Sequence, residues 1–105
     1  MPLKDLISET PDPEKVIHYC DILEKNAGGP DSLKIVLFTI LNRGHAYRSK
    51  GNPAKALQYL FEAAGIAVQL KDENEQGRIN AAIADNYGML KDGRNAVLYY
   101  KKAIA

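Results

Sequence analysis

The chain has no tryptophan, two phenylalanines, two methionines and a single cysteine in 105 residues. One thiol, Cys20, cannot close an internal disulfide, so packing must hold the fold, and cysteine usage leaves the redox compartment open. No apolar run approaches the roughly 20 residues of a membrane-spanning helix. Met1-Pro2-Leu3-Lys4 also lacks the apolar stretch of a signal peptide. The default expectation is therefore a cytoplasmic chain with no membrane insertion. A surplus of charge is missing too: 14 basic and 13 acidic residues are scattered along the chain, for a net charge of +1. Such a balance supplies no long-range field for nucleic acid or an acidic lipid surface. Histidine is scarce, and His18, Cys20 and His45 have no ligand-like spacing. Two residues apart on a helix, His18 and Cys20 point in different directions, so no metal site is expected.

Other small motifs dissolve in the same way. Gly28-Gly29 lacks the Lys-Ser/Thr that follows in a phosphate-binding loop, and suits a helix stop. The acidic run Asp72-Glu73-Asn74-Glu75 lacks the alternating oxygen ligands of a calcium loop. No serine or cysteine nucleophile has a base nearby in sequence. The expectation is a non-enzymatic chain without cofactors.

What is present is ordinary in amount, 46% apolar and 26% charged, but not in arrangement. Pro13–Leu23, Pro53–Ala63 and Gly93–Ala103 say nearly the same thing at an interval of 40 residues. Tyr19, Tyr59 and Tyr99 fall in register, as do Val16, Ala56 and Ala96, then Cys20, Leu60 and Tyr100, then Leu23, Ala63 and Ala103. A fixed period of this size marks stacked supersecondary units.

Along the chain, residues 1–10 predict a short helix with Leu3, Leu6 and Ile7 on one side, the tail of a truncated first unit. Asp12-Pro13 opens a second helix with the stripe Val16, Cys20, Leu23, Ala27, which Gly28-Gly29-Pro30 stops. Asp31-Ser32 caps a third, reaching about Lys50, whose wide apolar girth predicts cover on two sides. Gly51-Asn52-Pro53 is short enough to force an antiparallel hairpin. A fourth helix follows to about Leu70, with close packing expected to offset the cost of Gly65. Asp72 with Glu75 suggests a capping box ahead of a fifth helix, with Ile79, Ile83, Tyr87 and Leu90 inward. After Lys91-Asp92-Gly93 a sixth places Ala96, Tyr100 and Ala103 inward. The units are a partial repeat 1–26, a repeat 31–70 and a repeat 72–105, one domain and by expectation part of a longer array.

These spacings resemble the tetratricopeptide repeat. Ala56, Leu60, Ala63 and Ala96, Tyr100, Ala103 match the family's second helix, while Gly44 with Tyr47 and Ala84 with Tyr87 match its first. The period of 40 exceeds the family's usual 34, as in its long-unit variety found in bacterial signalling regulators and Pins-type G-protein modulators. Arg43 and Asn80 depart from the pattern by standing where apolar residues are common. The resemblance implies an all-α, right-handed superhelix of about six helices in antiparallel hairpins. It also implies a concave groove, lined here by Phe38, Leu41, Asn42, His45, Arg48 and Ser49, then Arg78, Ala81, Ala82, Asp85 and Met89. A mixed apolar and polar groove suits an extended peptide or a partner helix. Leu41 and His45 replace two positions of the family's chaperone-tail clamp, so that ligand is not expected. The tyrosines read as packing between hairpins rather than base-stacking platforms, and nucleic acid is not an expected partner. The alternatives are an oligomerisation segment, a homodimer through apolar end faces, and a regulatory segment of a larger signalling protein such as a histidine kinase or transcription regulator.

Overall fold

A computed structural model describes residues 2–104; Met1 and Ala105, at the ends of the expected domain, lie outside the described residues. Its elements are α1 (Leu3–Glu9), α2 (Pro13–Lys25), α3 (Ser32–Ser49), α4 (Pro53–Gln69), α5 (Glu73–Met89) and α6 (Gly93–Ile104). No strand occurs among the described residues, and each helix packs chiefly on its neighbours in sequence. The molecule measures 40 × 30 × 18 Å, so its thin dimension holds two layers of helices, each about 10 Å across.

The same turn chemistry closes three of the helices. After α3 the Asn52 N–H donates to the Tyr47 carbonyl (2.9 Å) and the Gly51 N–H to that of Arg48 (3.0 Å). Lys71-Asp72 does the same after α4, on Ala67 and Val68, and Lys91-Asp92 after α5, on Tyr87 and Gly88. This is the Schellman closure, which needs a left-handed residue just beyond the helix. Gly51 takes that conformation at φ 81°, where glycine is at ease, but Lys71 (φ 55°) and Lys91 (φ 60°) hold it with a side chain. The residue after each closure then caps the next helix. Asn52 accepts from the Lys55 N–H, Asp72 from the Glu75 N–H and Asp92 from the Asn95 N–H. One tripeptide thus ends one helix and starts the next, which folds the chain into hairpins.

The 40-residue register reappears as repeated contacts. Tyr47 stacks on Tyr59 at 5.6 Å between centroids, and their counterparts Tyr87 and Tyr99 stack at 5.7 Å. Each pair ties the helices of one hairpin together, and Phe61 of α4 bridges to both rings of the second pair. Two apolar clusters lie between the layers. One joins Ile7, Val16, Cys20 and Ala46; the larger joins Leu37, Ile40, Leu57, Leu60, Ala63, Ala67, Ile79 and Ile83. α4 packs close on Gly44, where a Cβ would lie in ordinary contact, 3.5 Å, with the Leu60 side chain.

Some local expectations are corrected. Leu90, just beyond the end of α5, and Tyr100, on the side of α6 over which no helix packs among the described residues, both expected inward, are each 45% exposed. Gly65 has nothing within 4 Å of a Cβ, so packing does not offset its cost. Asp31 makes no side-chain cap. The Asp72–Glu75 box is one-sided: the Asp72 N–H is already taken by the Ala67 carbonyl, and the Glu75 carboxylate turns to Arg78.

Candidate peptide-binding groove

The odd-numbered helices share one face. Between α3 and α5 lies a cleft of about 280 Å³ formed by Leu41, Asn42, His45, Arg78 and Ala82, together with Glu75 and Ile79. Five of the residues expected from sequence therefore come together in it. Asn42 and His45 also form one wall of a second cleft, about 200 Å³, whose other wall is Ile7, Ser8, Thr10 and Pro11; Ser49 lies at its edge. Leu41 and Glu75 likewise border a third and larger cleft, about 750 Å³, with Leu37, Phe38 and Leu70 as its apolar floor. Shared lining residues make the three clefts neighbours in a row across α1, α3 and α5.

Helical spacing explains the grouping. Phe38, the neighbours Leu41 and Asn42, then His45 and Ser49 recur at intervals of three or four along α3 and so fall on one stripe. Arg78 and Ala82 form the facing stripe on α5. Arg48, Ala81, Asp85 and Met89 do not line these clefts. Asp85 instead accepts a hydrogen bond from the Tyr100 hydroxyl, which holds the phenol's pKa above its usual value.

Electrostatically the groove is mixed. Arg48 and Arg78 are exposed, and Arg78 donates to Glu75 at 3.4 Å. His45 reaches solvent at its edge, yet protein surrounds it closely, and this burial, aided by the nearby Arg48 charge, lowers its pKa. Neutral imidazole is thus favoured, able to donate and accept one hydrogen bond each. At the larger cleft the Lys4 ammonium sits 5.2 Å over the Phe38 ring, with Lys34 contributed by α3 and Lys71, Asp72, Glu73 and Glu75 by the α4–α5 connection and the start of α5. An apolar floor with both signs of charge at its edge can take an extended chain or helix and fix its register. Among the described residues no group of three or more His, Cys, Asp or Glu could hold a metal ion.

Two contributors escaped sequence reasoning. The α1 wall is one; Ile7 stands 40 residues before Tyr47 and 80 before Tyr87, a signal that could have set α1 beside α3 and α5. The other is the cluster behind the groove, where Arg43 forks onto Glu24 (2.7 and 2.9 Å) and also donates to Asp21 (2.8 Å). Thr39 donates to the same Glu24 carboxylate at 2.6 Å. Arg43 holds the Glu24 carboxyl below its ordinary pKa, and burial pushes the adjacent Cys20 thiol up to about 11, leaving it inert at neutral pH. The cluster pins α3 to α2 and so fixes the angle at which α3 presents its groove stripe.

No family model, no curated protein and no solved structure matches the chain.

Proposed function

We propose that the chain is a non-enzymatic protein- or peptide-binding scaffold, a tetratricopeptide-like array whose odd helices form the inner face of a right-handed superhelix. The observation that carries this reading is the adjacency of three clefts along the odd-numbered helices. Asn42 and His45 serve one cleft and its neighbour, and Leu41 and Glu75 join that neighbour to the largest. A ligand several residues long can therefore lie across three helices. Hairpins locked by stacked tyrosines and capped turns lose little freedom on binding, so more of the contact energy appears as affinity.

Arg48→Glu and Arg78→Glu test it, compared with wild type on an array of random peptides. Groove binding predicts that Arg78→Glu loses or re-sorts the captured peptides, with affinity falling about tenfold, or about 1.4 kcal/mol, and that Arg48→Glu, beside His45 but outside the clefts, has a smaller effect. Unchanged selection by both variants removes the groove from the account. A role as an oligomerisation segment is the second reading, favoured by the exposed apolar residues Val97, Leu98 and Ile104 on α6.

A further inference from the structure

α4 is the middle one of the three even-numbered helices, and its outer face differs from theirs. Ala54, Gln58, Phe61, Gly65 and Val68 step by four and three along it, the spacing of a coiled-coil seam. All five are exposed, Phe61 by 41% and Val68 by 61%, and none carries a charge. None of them borders a groove cleft. The 40-residue register shows what the same positions hold on the neighbouring helices. Glu14, His18, Asp21 and Lys25 take the first four on α2, and Arg94, Leu98 and Lys101 the first three on α6, all exposed. The central unit departs from them by leaving the whole row uncharged. Two members of the row also have surface that the fold does not use. Gly65 weakens the helix, yet a Cβ there would meet nothing within 4 Å, so no neighbour in the chain requires its smallness. Phe61 turns one edge to Tyr87 and Tyr99 and leaves the rest in water. A second helix crossing at Gly65 would use both, its backbone brought close by the glycine between the larger Phe61 and Val68.

Charge identifies the occupant. An uncharged seam offers nothing to a strongly acidic or basic partner and meets a copy of itself without like-charge cost. Its two flanks are unlike. α6 presents only cations, Arg94, Lys101 and Lys102, while α2 presents Glu14 and Asp21 at the register positions of Arg94 and Lys101. Both carboxylates stay more than half exposed although they already hold Lys50 and Arg43. A two-fold axis running along the seam sets α2 of each copy opposite α6 of the other, Glu14 level with Arg94 and Asp21 level with Lys101. An axis across the seam sets α6 against α6, cation on cation. We propose that the outer face of α4 is a self-association surface, on which two copies of this chain pair back to back with their α4 helices parallel and in register. The clefts of both copies stay open on the outer sides of such a pair.

Sedimentation velocity of the full chain tests the pairing. A contact of one helix pair, about 21 Å long, belongs with small interfaces, and a Kd near about 100 μM is expected. Val68→Lys and Gly65→Gln change open positions, so circular dichroism should show the fold retained. Each should weaken dimerisation about tenfold or more, and Ile104→Lys, on the end face, should leave it unchanged. A short bismaleimide should join two copies of Gln58→Cys, whose thiols face each other in the parallel pair. In an antiparallel crossing centred on Gly65 those thiols would stand about 21 Å apart. Cys20 is buried and gives no background. A chain still monomeric at about 1 mM overturns the proposal. So does a dimer that Ile104→Lys disperses and Val68→Lys does not, or one that Gln58→Cys fails to link.

Discussion

Replacing Arg43 with alanine removes three charge-assisted hydrogen bonds at 2.7–2.9 Å from a side chain only 10% exposed. Truncating one partner of a fully buried ion pair costs about 3–5 kcal/mol, chiefly because the other charge is stranded. Here the stranded partners can rehydrate, since Glu24 is 30% and Asp21 57% exposed, so the expectation falls to about 1.5–3 kcal/mol. Urea unfolding followed by far-ultraviolet circular dichroism measures it. The pH dependence has a definite sign. The Glu24 carboxyl is held below its ordinary value of 4.5, so its stabilisation is complete above that pH and is lost as pH falls through the lowered folded-state value. The gap between wild type and Arg43→Ala should therefore narrow in acid. Substituting Glu24, Thr39 and Arg43 together by Ala, Ile and Ile, their counterparts at 64, 79 and 83, should recover most of the loss. A penalty under about 0.5 kcal/mol at neutral pH, or one undiminished at about pH 3, would refute the reasoning.

Gly65→Ala should stabilise by about 1 kcal/mol, because the position is helical, exposed and open; a loss of stability in urea would show an unseen constraint. Lys71→Gly and Lys91→Gly should each add about 0.5–1 kcal/mol, the left-handed cost relieved less the extra freedom glycine brings to the unfolded chain. Equal or lower melting temperatures for both would contradict that. Asn86 is 2% exposed; its amide donates to the Ala82 carbonyl while its Oδ1 has no partner. Its counterpart is Ala46, so Asn86→Ala should be neutral or stabilising by up to about 1 kcal/mol, and a loss beyond about 1.5 kcal/mol would mean that the oxygen is satisfied.

The helices were legible because their signals are local. Caps at Asp12, Asn52 and Asp72, stops at Gly29 and Gly51, and apolar steps of three and four are each read within a few residues. The hairpin stack was legible because the tyrosines recur, and Tyr47 meets Tyr59 as Tyr87 meets Tyr99. Five groove residues were legible as one stripe on each of two facing helices. The inward placement of Tyr100 failed for a different reason. Periodicity identifies which side of α6 is apolar, but burial depends on a covering helix, and that is a property of the assembly rather than of the stripe. Glu75 was misread as a reciprocal cap because the Asp72 N–H had a competing acceptor, Ala67, in the previous helix.

Arg43 shows where a repeat pattern carries more than similarity. Against its counterpart Ile83 it looks like a flaw in an apolar column. Its partners lie 19 and 22 residues away, beyond any helical period, so no local rule can find them. Yet the counterparts of Thr39 and Glu24 are Ile79 and Ala64, apolar residues of or against the larger core. Three positions thus switch together, polar between α2 and α3 and apolar between α4 and α5. Switching Arg43 or Glu24 alone would strand the other's charge, costing kilocalories, whereas switching them together leaves every group satisfied, the Thr39 hydroxyl keeping the Val36 carbonyl (2.9 Å) as a partner. Departures from a repeat that occur as a set are therefore evidence of contact. Thr39, Glu24 and Arg43 could have been placed against one another by asking which deviations from the register need each other.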